Sequence, residues 1–254
     1  MLLVVDVGNT QTHFGSYEGD RLLEHWRFAT VRTSTADELG AALRALLELR
    51  GIGLADLDAS IVSSTVPQLG TEWAAVAERY LGHRMLVVGP GLRTGMPLRY
   101  DNPREIGADR LVNAVAAFEE VRGAVVVVDF GTAITYDPVS AKGEYLGGII
   151  APGVQISMDA LTARAAMLPR IDLGPPRTLI GKTTVDAIRS GVVYGFAGQV
   201  DGILTRLRAE LGHDTKAIAT GGLARYIVPH AMTIDTVDEL LTLKGLKLLY
   251  ERNP

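Results

Sequence analysis

The chain opens on apolar residues at 2–5, breaks at Asp6 and continues through a polar stretch, Gly8 to Thr12. The same order returns as "VVVVDFGTAIT" at 125–135. Short Val-rich runs ended by a turn signal predict buried strands. Set in register, Asp6 falls with Asp129, Gly8 with Gly131, Asn9 with Thr132 and Thr12 with Thr135. Downstream, "GDRLL" at 19–23 is echoed by "GEYLG" at 143–147, slipped by one residue. Each copy reads as strand, turn, strand, turn, strand. A repeat of about half the chain predicts two similar lobes, because solenoid periods are much shorter.

Between the copies the apolar period becomes helical. Residues 36–50 carry apolar positions at helical spacing, with Asp37 and Glu38 in the first turn. The spacing also predicts helices over 71–81 and 104–121, the latter with Leu111, Val112, Val115 and Phe118 on one side. Strands are expected within 58–67 and 84–91, and a loop at 97–103. In the second half, 157–166 and 183–211 read as helices, 216–224 as strand, glycine turn and helix start, and 236–252 as an amphipathic closing helix. Strands precede helices in both halves. The expected fold class is α/β, with mixed β-sheets flanked by helices. The lobes are expected at 1–117 and 118–254.

Composition removes several function classes. With 254 residues, 47% hydrophobic and 21% charged, the chain can bury a core and is not disordered. A net charge of −4 without a block of like charges gives no electrostatic reason to expect nucleic acid or an anionic membrane. There is no cysteine, which excludes disulfides, thiolate metal sites and Cys nucleophiles and fits a reducing compartment. The first apolar run is too short for a signal peptide, and no stretch reaches membrane-spanning length. These features read as a soluble cytoplasmic protein. His13, His25, His83, His213 and His230 show no metal-ligand spacing and read as surface or structural. Ser63 and Ser64 lack a nucleophile-elbow context. Trp26 and Trp73 read as core.

The repeated turn concentrates the chemistry. Glycine lets a phosphate approach backbone N–H groups, and an Asp at a strand end can hold a cation beside it. A single Asp-x-Gly is equally a tight hairpin turn. The duplication favours the phosphate reading, with one copy on each wall of a nucleotide cleft. Neither a P-loop nor a GxGxxG opening a helix is present.

Paired turns of this kind resemble the actin, hexokinase and 70-kDa chaperone superfamily, whose lobes are RNase H-like. Finer motifs resemble one family, type III pantothenate kinase: "DVGNTQTHFG" at 6–15, "YDNPREIGADRLVNAVAA" at 100–117, "DFGTAITYD" at 129–137, "GGIIAPGVQISMDAL" at 147–161 and "TGGLA" at 220–224. Ile134 departs from the pattern, where Thr is more usual. The resemblance implies transfer of the ATP γ-phosphoryl group to the primary hydroxyl of pantothenate, the first step of coenzyme A biosynthesis. It also implies Mg²⁺ with ATP, a monovalent cation (K⁺ or NH₄⁺) and a homodimer.

The resemblance assigns the general base to Asp109, where a first-turn helix acid is the plainer alternative. It places ATP against Asp6, Val7, Gly8, Asn9, Thr10, Gln11, Thr12, His13 and Thr132, with Asp6 near Mg²⁺ through water. Asp129 matches the monovalent-cation ligand. Pantothenate falls to Tyr100, Gly107, Ala108, Asp109, Arg110 and Thr184. Arg110 can clamp a carboxylate or form a salt bridge. Tyr100 is alternatively a loop aromatic capping the core, and Thr184 a helix N-cap. The competing functions are a non-catalytic regulatory accessory factor of the same fold and another small-molecule kinase of the superfamily.

Overall fold

The computed structural model describes residues 1–254. Two compact units divide the chain, one of Met1–Gly95, Asn102–Ala116 and Leu241–Pro254, the other of Met96–Asp101 and Ala117–Leu240. No helix is long and apolar enough to cross a membrane.

In the first unit, β1 (Leu2–Val7), β2 (Gln11–Glu18) and β3 (Arg21–Ala29) form an antiparallel meander. Helix α1 (Ala36–Glu48) starts at a capping box in which Thr35 and Glu38 satisfy each other's backbone N–H groups. Strand β4 (Ala59–Ser64) lies parallel to β1, and α2 (Pro67–Val76) begins with Pro where a missing N–H costs nothing. The chain then makes a π-turn over Ala77–Leu81 and stops at Gly82, whose φ of 73 favours glycine. The strand expected within 84–91 shrinks to β5 (Leu86–Val87), because Gly89, Pro90 and Gly91 follow it. The sheet order is β3-β2-β1-β4-β5. Leu39 and Leu43 of α1 and Leu69 and Trp73 of α2 pack with Leu3, Val5 and Phe14 of the sheet. Helix α3 (Ala108–Val121) starts after a 3-10 turn at Pro103–Glu105, four residues later than its apolar spacing suggested.

The second unit repeats the plan. Strands β6 (Val125–Phe130), β7 (Ala133–Val139) and β8 (Ile149–Pro152) form the meander, followed by α4 (Val154–Arg164) and the long α5 (Thr184–Leu211). Strand β9 (Lys216–Thr220) lies parallel to β6, then come α6 (Ala224–Ile227) and β10 (Thr236–Val237). The order β10-β9-β6-β7-β8 is that of the first sheet read from its other end. Val126, Val128 and Phe130 pack with Val193, Ala197 and Leu204 of α5. Helix α7 (Leu241–Glu251) closes the chain and returns to the first unit, against β1 and β4.

Three further expectations change. Residues 236–240 are strand and turn, so the closing helix starts at Leu241. The third strand of the second copy starts at Ile149, because 143–147 is drawn toward 97–99. There Arg99 N donates to Tyr145 O (2.8 Å) and Tyr145 N to Pro97 O (2.9 Å). A single cut after residue 117 also differs from the observed units. It separates α7 from the sheet that it covers, and 96–101 from the hairpin that holds it. The cause is close packing: Gly245 of α7 leaves no room for a Cβ beside the Val112 backbone, and Thr242 Oγ1 donates to Asn113 Oδ1 (2.7 Å).

Candidate active site

Most of the predicted nucleotide residues lie in one hairpin. Asp6 is the penultimate residue of β1, cross-strand from His13 on β2 and beside Ser63 on β4. Ser63 Oγ donates to Asp6 Oδ1 (3.0 Å). Four residues, Gly8 to Gln11, turn the chain between Val7 and Thr12. Gly8 N donates to Gln11 O (3.0 Å), and a Cβ on Gly8 would lie 2.9 Å from that oxygen. Asn9, Thr10 and Gln11 are exposed, while Thr12 and His13 are buried. The carbonyl of Val7 accepts from both Thr65 N (2.9 Å) and Thr65 Oγ1 (3.1 Å). Thr30 N donates to Thr10 O (2.9 Å), fixing the far side of the turn.

His13 Nε2 and His25 Nδ1 share a hydrogen bond of 3.1 Å. Burial, with Arg27 and His25 adding repulsion, pulls the His13 pKa down to about 3. His13 is therefore neutral at pH 7 and brings no positive charge to the turn.

The second predicted cluster opens α3. Gly107 O accepts from Leu111 N, and Asp109 Oδ1 accepts from Arg110 N (2.9 Å). A Cβ on Gly107 would lie 2.6 Å from Asp109 Oδ1, so glycine is required for the carboxylate to fold back this way. Burial raises the Asp109 pKa, against the lowering effects of the Arg110 N–H and the Arg110 charge. Arg110 is 7% exposed, and Ala108 is the first helical residue.

In the second unit, Asp129 is the penultimate residue of β6, opposite Thr135 and beside Thr220. This turn has three residues, Gly131 to Ala133, and Gly131 N donates to Ala133 O (3.0 Å). The sequence register set Thr12 with Thr135. The shorter turn moves the match by one, so that Ile134 stands where Thr12 does. Gly153, just before α4, would put a Cβ 2.7 Å from Thr132 C and 3.0 Å from Gly131 O. Gly221, at φ 91, would put one 2.7 Å from the Phe130 backbone and in overlap with Asp129 Oδ1.

Tyr100 is half-buried, with its ring 6.3 Å from that of Tyr145. Tyr145 OH donates to Asp137 Oδ1 (2.7 Å), which Thr135 Oγ1 joins on Oδ2 (2.9 Å). Arg99 grips Glu144 through two nitrogens (2.6 and 2.9 Å), so the segment bearing Tyr100 is held at both backbone and side chain.

Thr184 is exposed at the start of α5 and lines a cavity of about 1000 Å³ with Leu161, Leu168, Ile188 and Phe196. The cap is its neighbour Thr183, whose Oγ1 accepts from Asp186 N (3.1 Å). Capping therefore does not account for Thr184. Arg177 binds Asp186 through two nitrogens and, with Thr183, holds the Asp186 carboxyl below its ordinary range.

Sequence reading missed Ser63, Thr65 and Arg32 around the first turn. Arg32 Nη2 donates to Asn9 Oδ1 (3.1 Å). No local motif marks these residues, since strand pairing and chain return bring them there. No group of three or more His, Cys, Asp or Glu converges as a metal centre.

Two sheets of one strand order, each with an Asp-x-Gly turn after its first strand, define an actin- and hexokinase-like phosphotransferase fold. A protein from Sinorhizobium meliloti described as a 2-dehydro-3-deoxygalactonokinase superposes with a TM-score of 0.62 at 15% identity, covering 100% of this chain and 97% of its own. One from Campylobacter jejuni described as a Baf family transcriptional activator gives 0.58 at 20%, covering 99% and 98%. Within that class, the type III pantothenate kinase profile matches residues 2–206. The type III pantothenate kinases of Moorella thermoacetica and Myxococcus xanthus are each 52% identical over 253 residues, covering 100% of this chain and 100% and 99% of theirs. The chain belongs to the type III pantothenate kinase family, and it is a kinase that phosphorylates pantothenate in coenzyme A biosynthesis.

Proposed function

We propose that Asp109 is the base of this reaction and that the two turns and the start of α3 divide the remaining work. The observation that carries the reading is the Asp109 carboxylate, folded onto the N-terminus of α3 and made more basic by burial. A base of raised pKa takes a hydroxyl proton more readily. The pantothenate primary hydroxyl gives its proton to Asp109 as its oxygen bonds to the γ-phosphorus. The bond from that phosphorus to the β,γ-bridging oxygen breaks, and ADP leaves. Arg110 clamps the pantothenate carboxylate, and Tyr100 packs against the chain of the substrate. Asp6 through Thr12, with Thr132, hold the nucleotide.

Mg²⁺ carried on ATP and a K⁺ or NH₄⁺ ion at Asp129 supply positive charge to the phosphates. A second copy of the chain covers the apolar cavity at α5, where Ile156, Ile180 and Tyr194 are also exposed, and thereby orders Thr184. The expected location is the cytoplasm.

The test is Asp109→Asn, assayed for ADP release with pantothenate. Turnover should fall on the order of 10²–10⁴-fold. The folded-state pKa of Asp109 is raised, so its contribution to stability is present below the unfolded carboxylate pKa and lost as pH rises through the folded value. At pH 7 the wild type therefore bears a cost that Asn lacks, and the variant should melt at the same or a higher temperature. Turnover near the wild-type rate removes Asp109 from the role of base.

A further inference from the structure

The hydrogen bonds around the first turn have a fixed polarity. Thr65 Oγ1 gives its single proton to Val7 O (3.1 Å), so it can only accept from Asn9 Nδ2 (3.3 Å). That orients the Asn9 amide with Oδ1 away from Thr65, and Arg32 Nη2 donates to it at 3.1 Å. The segment bearing Arg32 is tied to the same turn just upstream. Thr30 N donates to Thr10 O (2.9 Å), and the hydroxyls of Thr30 and Thr12 lie 3.0 Å apart. Six residues, Val7, Asn9, Thr10, Thr12, Thr30 and Thr65, on two strands and three loops thus converge to place one guanidinium beside an Asp-x-Gly-Asn-Thr turn.

The charge at the turn needs such a group. Asp6 is acidic, Asn9, Thr10 and Gln11 are neutral, and His13 is kept neutral by burial. Arg32 is exposed, and Asn9 is its hydrogen-bond partner. A guanidinium has five N–H donors in a planar fork that matches phosphate oxygens. One donor on Asn9 leaves the others for a ligand.

We propose that Arg32 is a phosphate-contacting residue of the nucleotide turn, held by Asn9 and donating to an outer phosphate oxygen of ATP. This rests on the reading of the first turn as an ATP site. The Asn9–Arg32 bond also gives Asn9 a second duty, carrying the orientation set by Val7 and Thr65 to the cation.

The experiment measures equilibrium binding of Mg·ATP to the full-length protein by calorimetry, for wild type, Arg32→Met and Arg32→Lys, together with steady-state kinetics. Amide hydrogen exchange over residues 8–12, with and without Mg·ATP, reports separately on the turn. Arg32→Met should weaken ATP binding about tenfold, which is about 1.4 kcal/mol. It should leave KM for pantothenate within twofold, and the melting temperature should not move because the side chain is exposed. Arg32→Lys, with charge but no fork, should fall between. If ATP slows exchange at 8–12 and Arg32→Met binds ATP like wild type, the Arg32 proposal fails and the ATP reading stands. If ATP does not slow exchange there, the ATP reading fails, and the proposal with it.

Discussion

The turn after β1 and the turn after β6 share a strand frame and an Asp-x-Gly, yet they are built on opposite principles. The first has four residues and is edged by side chains: Asn9 and Thr10 on the turn, Ser63, Thr65, Thr30 and Arg32 around it. The second has three residues and is pressed by two glycines from elsewhere in its unit, Gly153 and Gly221. Side-chain edging can tune affinity one hydrogen bond at a time. Glycine packing fixes a backbone path and tolerates nothing added. Recognition by donors is therefore expected of the first turn, and rigid placement of one carboxylate of the second.

The largest expected effect tests that contrast directly. Gly153→Ala forces a methyl into the Thr132 carbonyl group, and Gly221→Ala adds a left-handed φ of 91 to an overlap with Asp129. Backbone atoms form both walls, so relief requires the turn to move. Each substitution should cost about 3 kcal/mol or more. That corresponds to a fall in melting temperature of about 6–12 °C, read by calorimetry. Gly8→Ala meets a single carbonyl at 2.9 Å and should cost less. Equal losses for Gly8→Ala and Gly153→Ala would erase the distinction between the turns.

Sequence alone reached far into this architecture because the duplicated strand–turn–strand is a local pattern, with apolar runs and turn residues adjacent in the chain. The first meander, the first two strands of the second, helices α1 and α5 and the order of elements follow from it. The slip between Thr12 and Thr135 was hidden, because one residue fewer in a turn leaves a repeat still visible by eye. Pairing period two then moves every later side chain to the other face. The return of α7 to the first sheet was likewise hidden, since an amphipathic helix does not say which apolar surface it covers. The places of motif residues, Asp6 near a strand end and Asp109 in the first turn of a helix, were legible. Ser63, Thr65 and Arg32 arrive through tertiary pairing and carry no mark of it in their neighbours.

A second contrast concerns the two carboxylates. Asp129→Asn should reduce turnover on the order of tenfold to a hundredfold and abolish activation by added K⁺. Asp6→Asn should lower kcat/KM for ATP while leaving the K⁺ concentration for half-activation unchanged. Titrating K⁺ at saturating and limiting ATP separates the two. If both variants lose K⁺ activation alike, the assignment of separate duties is wrong.

The smallest effect comes from the residue cross-strand to each Asp. Opposite Asp6 stands His13, buried against His25 and near Arg27, with a pKa of about 3. Opposite Asp129 stands Thr135, which does not titrate. Unfolding frees His13 to take a proton below its ordinary pKa of 6.5, while the folded chain refuses it down to about 3. The unfolded state binds more protons in that window, so stability rises with pH across it and is lost on acidification. The contribution is about 1.4 kcal/mol per pH unit once the pH is below 6.5. Between pH 6.5 and 5.5, urea denaturation of the wild type should lose up to about that much relative to His13→Gln, whose profile lacks the term. Thr135→Val should leave the slope as in wild type. A His13→Gln profile parallel to the wild type over this interval would show that His13 protonates in the fold, and that acid does not act on the two turns differently.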